Sequence, residues 1–145
     1  MRSDVTRPLP LPDQDTEAFW EGTRNQKLLV QHCASCERAQ FYPRYFCTVC
    51  AGDVDWIEAS GRGVVYTFSI VRQNATPPFD ALVPYVLAMI DLDEGVRMMG
   101  NVTGIPVDEM RVGLPVEVHF VRETDEIWLP MWRLRAEGSP EGAGP

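Results

Sequence analysis

The sequence predicts a mainly β protein: a short N-terminal helix, then a small metal-binding ribbon, then a five-stranded barrel. Three observations carry this prediction. All four cysteines fall in two Cys-x-x-Cys pairs within residues 33–50, and five segments with strand patterns follow residue 63. A single helical turn is predicted between the third and fourth of these segments. Because this element order is that of an OB-fold, we expect a rubredoxin-like zinc ribbon followed by an OB-fold.

Both ends of the chain are predicted to be flexible. Residues 1–12 form a proline-rich arm in which prolines and leucines alternate, a pattern that favours an extended polyproline-like conformation. An arm that lies on a partner subunit is the alternative to a disordered terminus. Residues 137–145 are rich in glycine and proline and are predicted to form a disordered tail.

A short helix is predicted within residues 13–26. Asp13 or Asp15 can cap its first turn, and Phe19 and Trp20 give it an apolar face. A helix of this length is marginally stable alone. We therefore expect the two aromatic side chains to pack on the rest of the chain or, alternatively, on another subunit.

The zinc ribbon is predicted over residues 27–60, with strands at 27–32 and 40–44 that each run into one cysteine pair. Two residues between paired cysteines let both thiolates face one point, and two such turns supply four sulfurs in tetrahedral geometry. Four protein ligands close the coordination of Zn²⁺, so the metal should hold the fold and perform no chemistry. The predicted ligands are Cys33, Cys36, Cys47 and Cys50.

The alternatives for these cysteines are disulfides, a redox Cys-x-x-Cys site, four unrelated buried thiols or a rubredoxin-like iron site. Disulfides need an oxidising compartment, and the N-terminal residues show no secretory signal pattern. A redox site normally has one such pair. Glu37 and Ala51 follow the two pairs, where iron sites tend to have glycine, so zinc is preferred over iron.

The OB-fold is predicted over residues 61–136. A glycine-containing turn at 60–63 marks the junction with the ribbon. The second strand is apolar on nearly every residue, which predicts cover on both of its faces. Pro130 in the last strand predicts an edge or a bulge. The five strands are expected at 64–71, 84–92, 96–102, 115–121 and 127–134, with the helical turn at 106–110.

The charge of the chain limits its partners. The formal net charge is −8 and Lys27 is the only lysine, which disfavours nucleic acid because phosphate backbones are bound by basic faces. No apolar run approaches the roughly twenty residues that span a bilayer, so no membrane partner is expected. We expect a soluble cytoplasmic protein.

Binding is a better prediction than catalysis for this chain. No nucleophile with a base, cleft with paired carboxylates or phosphate-binding loop is visible. The loop at 73–80, with Pro77 and Phe79, joins the first two barrel strands, where OB-folds often carry a binding loop. Arg72 and Arg97 could meet an acidic group such as a phosphate, although most surface arginines have no specific role.

Several motifs, taken in order, resemble one known family over about residues 19–134. It comprises the zinc-ribbon plus OB-fold proteins first catalogued as a domain of unknown function and associated with acyl-CoA metabolism. The motifs are Cys33-x-x-Cys36, Pro43-Arg44-Tyr45-Phe46-Cys47-x-x-Cys50, Trp56, Gly61-Arg62-Gly63-Val64-Val65-Tyr66-Thr67-Phe68, Pro84-Tyr85-Val86 and Leu92-Asp93-Glu94-Gly95-Val96-Arg97.

The resemblance implies a hetero-oligomer with a thiolase-fold subunit, either an acetyl-CoA acetyltransferase or a lipid-transfer-protein-like aldolase that cleaves steroid side-chain CoA thioesters. In such complexes the partner carries the catalytic residues, and the zinc-ribbon protein contributes structure and helps to form the CoA path. The four cysteines carry over as metal ligands, and no catalytic residue carries over. The expected function is a non-catalytic accessory subunit in lipid metabolism, with steroid degradation as one setting.

Two other functions stay open at this point. Ribbons and OB-folds also serve as nucleic-acid-binding modules, and the barrel alone could bind acyl-CoA. Candidate residues for contact with a partner or ligand are Phe19, Trp20, Tyr45, Phe46, Arg72, Pro77, Phe79 and Arg97.

Overall fold

The computed structural model describes residues 7–136, so the predicted tail and the first six residues of the predicted arm lie outside it. Within this range the chain forms one α-helix, eight strands and two 3₁₀ turns. No helix in the described range is long and apolar enough to cross a membrane. The elements are α1 (Glu17–Arg24), β1 (Leu29–Cys33), β2 (Ala39–Gln40), β3 (Val54–Glu58), β4 (Arg62–Val71), β5 (Tyr85–Leu92), β6 (Arg97–Thr103), β7 (Pro115–Arg122) and β8 (Trp128–Leu134), with the 3₁₀ turns at Phe79–Ala81 and Val107–Glu109.

Helix α1 begins after a turn that an aspartate caps. The Asp13 carboxylate accepts hydrogen bonds from the Thr16 backbone N–H at 3.0 Å and from its hydroxyl at 2.9 Å. The Phe19 side chain is only 3% exposed, and its ring centroid lies 4.9 Å from that of Trp20 and 5.3 Å from that of Phe41. The aromatic face of the helix therefore packs within the chain.

The ribbon is a three-stranded antiparallel sheet in the order β2-β1-β3. The strand predicted at 40–44 is wrong in extent, because β2 ends at Gln40 and the residues after it form turns. Pro43 has no N–H to give to a ladder, and the backbone of Arg44 bonds instead to the side chain of Gln31. Strand β3 was not predicted, although Val54, Asp55 and Trp56 alternate between apolar and polar residues and are half-buried, exposed and half-buried in turn.

The barrel is closed in the strand order β4-β5-β6-β8-β7, with β7 pairing back to β4. Its second 3₁₀ turn lies between β6 and β7, which confirms the predicted OB-fold order. Pro130 pairs with Phe120 of β7, whereas β6 pairs with β8 only at Trp132 and Arg133. Pro130 thus lies where β8 has a single neighbour, as expected for a residue without an N–H.

Strand β5 is covered more fully on one face than on the other. Its side chains alternate strictly between buried and half-buried, so the expectation of full cover on both faces is corrected. The half-buried residues form part of the outer barrel surface, where flanking side chains of β4 and β6 give partial cover. The fully buried ones are Val86, Ala88, Ile90 and Leu92.

A polar contact joins the ribbon to the barrel. The Ser60 backbone N–H donates to the Glu94 carboxylate at 2.9 Å, and the Ser60 hydroxyl donates to Asp93 at 3.3 Å. Arg62 forms an ion pair with Asp93 at 3.7 Å. The same hydrophobic core contains Phe19 and Val30 as well as the barrel residues. These contacts fix the orientation of the ribbon on the barrel.

Candidate metal centre and binding surfaces

The two cysteine pairs converge on one point. The four sulfur atoms all lie within 4.8 Å of one another, with 3.5 Å between Cys33 and Cys50 and 3.6 Å between Cys36 and Cys47. Four sulfurs around Zn²⁺ at about 2.3 Å would be about 3.8 Å apart. All four cysteines are free thiols, so the arrangement suits a metal and holds no disulfide.

Both knuckles, the turns that follow the first cysteine of each pair, use the same backbone hydrogen bonds. The Cys33 carbonyl accepts from the Glu37 N–H at 2.8 Å, and the Cys47 carbonyl accepts from the Ala51 N–H at 2.9 Å. Glu37 and Ala51 have φ angles of 61° and 62°, a left-handed conformation that ordinarily favours glycine. The repeated geometry shows that each turn adopts the conformation that the metal site needs even without glycine.

The surroundings of Cys47 and Cys50 shift the pKa values of the two thiols in opposite directions. Backbone N–H groups of Cys50 and Val49 lower the pKa of Cys47 to about 6. The Gly52 N–H favours the Cys50 thiolate, but the neighbouring Cys33 sulfur and burial outweigh it and raise the pKa of Cys50 to about 12. A divalent cation would remove this repulsion between thiolates, so zinc binding at neutral pH should release protons.

The site is a structural zinc centre. A complete set of four thiolate ligands leaves no open coordination position for a substrate or water. Cys33 and Cys47 are buried, so the metal centre lies partly within the ribbon and does not line an open cleft. In the described part of the chain no other group of His, Cys, Asp and Glu side chains comes together as a metal site. The prediction of structural Zn²⁺ is confirmed.

Two glutamines that the sequence analysis missed hold the loop before the second knuckle. The Gln31 side chain accepts from the Arg44 N–H and donates to the Arg44 carbonyl, both at 2.8 Å. Gln40 donates to Gln31 at 2.8 Å and to the Phe46 carbonyl at 3.3 Å, and it accepts from the Thr48 N–H at 3.0 Å. Gln31 is buried on β1, where a polar side chain must find hydrogen-bond partners, but the sequence alone does not show that burial.

Replacing Gln31 by leucine should loosen this loop. The change leaves the Arg44 N–H and carbonyl without their partner, at a cost of about 1–3 kcal/mol. Amide hydrogen exchange of residues 44–48 should accelerate by about tenfold or more, since 1.4 kcal/mol is a factor of ten. The exposed Gln73, whose side chain makes no hydrogen bond within residues 7–136, gives the control Gln73→Leu. Unchanged exchange in Gln31→Leu would show that the loop is held by other contacts.

Of the five aromatic candidates, the four in the helix and the ribbon divide into two groups. Tyr45 and Phe46 are 78% and 52% exposed beside the second knuckle, where a partner can reach them. Phe19 is in the core and Trp20 is half-buried against it. The expectation that Phe19 offers a binding surface is therefore corrected, because its ring is used in packing α1.

Both arginine candidates have carboxylate partners within the chain. Arg72 lies 3.7 Å from Asp108, and both side chains are exposed. Arg97 forms a two-pronged ion pair with Asp91, with N–O distances of 2.6 and 3.2 Å, and its guanidinium stacks 3.4 Å from the ring centroid of Tyr66. The Asp91 carboxylate is the main reason that the pKa of Arg97 is raised. A ligand anion would have to compete with these carboxylates.

The predicted binding loop borders a groove of about 570 Å³ at one end of the barrel. Phe79 lines it, whereas Pro77 is not among its lining residues. The Asn74 side chain donates to the Tyr85 hydroxyl at 3.0 Å and so ties the loop to the start of β5. The guanidinium of Arg7 lies 5.5 Å from the centre of the Phe79 ring. The groove is mainly apolar, with Leu82, Val86, Val102, Ile105, Val107 and Met131 among its lining residues.

Two family models match the chain in the order of its two parts. Residues 20–55 match the rubredoxin-like zinc ribbon domain of ChsH2, and residues 56–121 match the C-terminal OB-fold domain of ChsH2. The match divides the chain before Trp56, within β3. Both predicted modules are thus found in one described family.

Curated relatives include subunits and scaffolds. A probable enoyl-CoA hydratase alpha subunit of Thermomonospora curvata is 33% identical over 88% of the chain. A 3-oxo-4,17-pregnadiene-20-carboxyl-CoA hydratase alpha subunit of Mycobacterium tuberculosis is 29% identical over 88%. The chain spans only 40% and 38% of these two proteins. A DUF35 domain-containing scaffold protein of Methanocaldococcus jannaschii is 31% identical over 77% of the chain and 81% of its own length.

A solved structure described as the Ltp2-ChsH2(DUF35) aldolase has the same fold. The match has a TM-score of 0.77 and 32% sequence identity. It covers 86% of this chain and 98% of the matched chain, so ribbon and barrel correspond together.

Proposed function

Because the chain belongs to the ChsH2 family of zinc-ribbon and OB-fold proteins, also described as DUF35 proteins, we propose that it is a non-catalytic accessory subunit that binds and stabilises a thiolase-fold acyl-CoA enzyme. One observation carries this proposal. The ribbon and barrel together correspond to 98% of a chain in a structure described as an Ltp2-ChsH2 aldolase. A scaffold relative and hydratase alpha subunits also support a role inside a larger assembly.

The metal centre supports a scaffolding role. Cys33, Cys36, Cys47 and Cys50 would hold Zn²⁺, which supplies folding free energy to a ribbon too small to be stable alone. The ribbon is joined to the barrel through Ser60 and the hairpin after β5. A bound metal therefore fixes the relative orientation of two surfaces that a partner can contact at once.

The reaction that we propose for the complex is retro-aldol cleavage of a steroid-CoA thioester. This choice is supported by the name of the matched aldolase and by the pregnadiene-carboxyl-CoA hydratase relative. In it the lipid-transfer-protein-like partner supplies the catalytic groups, and this chain supplies structure and part of the CoA path.

A second candidate is direct contact with the acyl-CoA. The observation that favours it is the groove of about 570 Å³, a size typical of small-molecule sites. Its lining is mainly apolar, and its polar groups include Arg7, Asn101, Thr103 and Glu123. Titration calorimetry of the isolated, zinc-loaded chain with CoA and an acyl-CoA tests it. Saturable heat with acyl-CoA would support contact, and its absence would favour pure scaffolding.

Co-expression with a lipid-transfer-protein-like, thiolase-fold subunit tests the proposed function. We expect a stable complex in size-exclusion chromatography with light scattering, and lyase turnover only when the thiolase-fold subunit is present. The matched control is the same partner expressed without this chain, which should be less stable or less active. Full turnover by the isolated chain, or no complex with any such subunit, would refute the proposal.

A further inference from the structure

A groove of about 600 Å³ lies between the second cysteine knuckle and strand β3. Tyr45 and Phe46 line it and are among the most exposed large apolar residues of the described chain. Asp53 and Asp55 also line it, and both are exposed. This aromatic–acidic groove thus combines ring faces with two carboxylates.

The walls of the aromatic–acidic groove are held before any partner arrives. On one side the Phe46 carbonyl and the Thr48 N–H bond to the Gln40 side chain. On the other side β3 pairs with β1, which places Asp55 opposite His32. Since these groups are already ordered, binding of a partner here does not incur the conformational-entropy cost of ordering the loop.

The two carboxylates of the groove are electrostatically unmatched. Neither Asp53 nor Asp55 forms an ion pair with any residue in the range 7–136. Four other aspartates are paired with arginines of the chain, in the pairs Arg62–Asp93, Arg72–Asp108, Arg97–Asp91 and Arg122–Asp125. Asp13, Asp15 and Asp80 also form no ion pair in the described part of the chain, but none of them lines this groove. The groove therefore carries uncompensated negative charge beside aromatic rings.

We propose that the aromatic–acidic groove receives an arginine or lysine side chain of the partner subunit, as the anchor of that interface. The inference rests on the proposed function, because it assumes a protein partner. A cation is attracted to the face of an aromatic ring, and a guanidinium can stack on the ring while it donates hydrogen bonds to a carboxylate. Tyrosine and arginine are both enriched among the few residues that dominate interface affinity.

Affinity measurements on the complex test the proposal. Asp53→Asn/Asp55→Asn should weaken binding of the thiolase-fold subunit by about tenfold or more, and Tyr45→Ala by about tenfold. The loss should be greater in 50 mM than in 300 mM salt for the aspartate variant, because salt screens charge pairs. The control Glu58→Gln/Glu109→Gln removes the same charge from exposed residues outside the groove. Equal affinities of the two double variants would overturn the inference while leaving the proposed function intact.

A second measurement tests the groove without a partner subunit, so it can be made even if no complex forms. Acetyl-Arg-Arg-amide is titrated into the zinc-loaded chain, and amide chemical shifts are followed by NMR. We expect saturable shifts centred on residues 45, 46, 53 and 55, at least fivefold smaller in Asp53→Asn/Asp55→Asn, and none with acetyl-Glu-Glu-amide. Shifts spread over the surface, or equal in the double variant, would contradict a site for a basic side chain. Zinc content, measured by a colorimetric assay, checks that each variant is folded.

Discussion

Replacing Cys47 by serine is expected to release the zinc ion, unfold the ribbon and abolish binding of the partner subunit. Cys47 is buried, and its sulfur lies 3.6 Å from that of Cys36, so no other group can take its ligand position. Structural zinc contributes apparent binding free energies of about 10–16 kcal/mol in zinc-finger peptides, as much as the whole stability of a typical domain. The ribbon should therefore not fold without the metal.

Metal analysis and hydrogen exchange measure this outcome. The variant should contain less than about a tenth of the zinc of the native protein, and amides of β1 and β3 should lose protection while those of the barrel keep it. The exposed residue Ala34 lies between the first two cysteines, so Ala34→Ser adds a hydroxyl to the same knuckle and retains all four ligands. Retained zinc with normal partner binding in Cys47→Ser would refute the structural role of the site.

The metal centre could be predicted from sequence because its information is local. Two residues between paired cysteines are enough to set each turn, and the structure brings all four sulfurs together as the spacing predicts. The barrel was predictable for a similar reason, since β4 and its partners show alternation and the turns between them have their own residue signals. Five strands and one short turn left few possible topologies.

The binding surfaces depend on contacts that are distant in the chain and could not be predicted in this way. The conformation of the loop before Cys47 is set by Gln31, which bonds to Arg44 13 residues away, and by Gln40, which bonds to Phe46 and Thr48. Similarly, Phe19 has the same sequence pattern whether it packs inside or outside, and its burial depends on distant residues such as Phe41, which packs against the core. Patterns of polarity do not contain these pairings.

The ion pair of Arg97 is also a contact that the sequence pattern does not predict. From the sequence, Arg97 could meet an acidic group such as a phosphate or have no specific role, and folding places Asp91 directly across the strand pair from it. The resulting ion pair and the stack on Tyr66 occupy the guanidinium. Conversely, Asp53 and Asp55 looked unremarkable in sequence and emerge as unpaired carboxylates beside exposed rings.

Replacing Trp132 by alanine is expected to destabilise the barrel by about 3–5 kcal/mol. Trp132 is the largest of the fully buried side chains in the described range. It lies on β8 at the position where both β6 and β7 pair with that strand. Its removal leaves a cavity that three paired strands cannot collapse to fill. Urea unfolding should show a lower midpoint with an unchanged slope. Met99→Ala, at an exposed site on β6, is the control and should change stability by no more than about 0.5 kcal/mol.

The fit between Trp132 and Gly100 makes this prediction sharper. A Cβ atom added at Gly100 would lie 2.5 Å from Cδ1 and 2.7 Å from Nε1 of the indole, so Gly100→Ala alone should cost about 1–3 kcal/mol through overpacking. In the Trp132→Ala background the added methyl group enters vacated space, and its cost should fall or change sign. A double-mutant cycle should therefore give a coupling of at least about 1 kcal/mol. Additive costs would mean that the indole does not close the barrel against the backbone of β6.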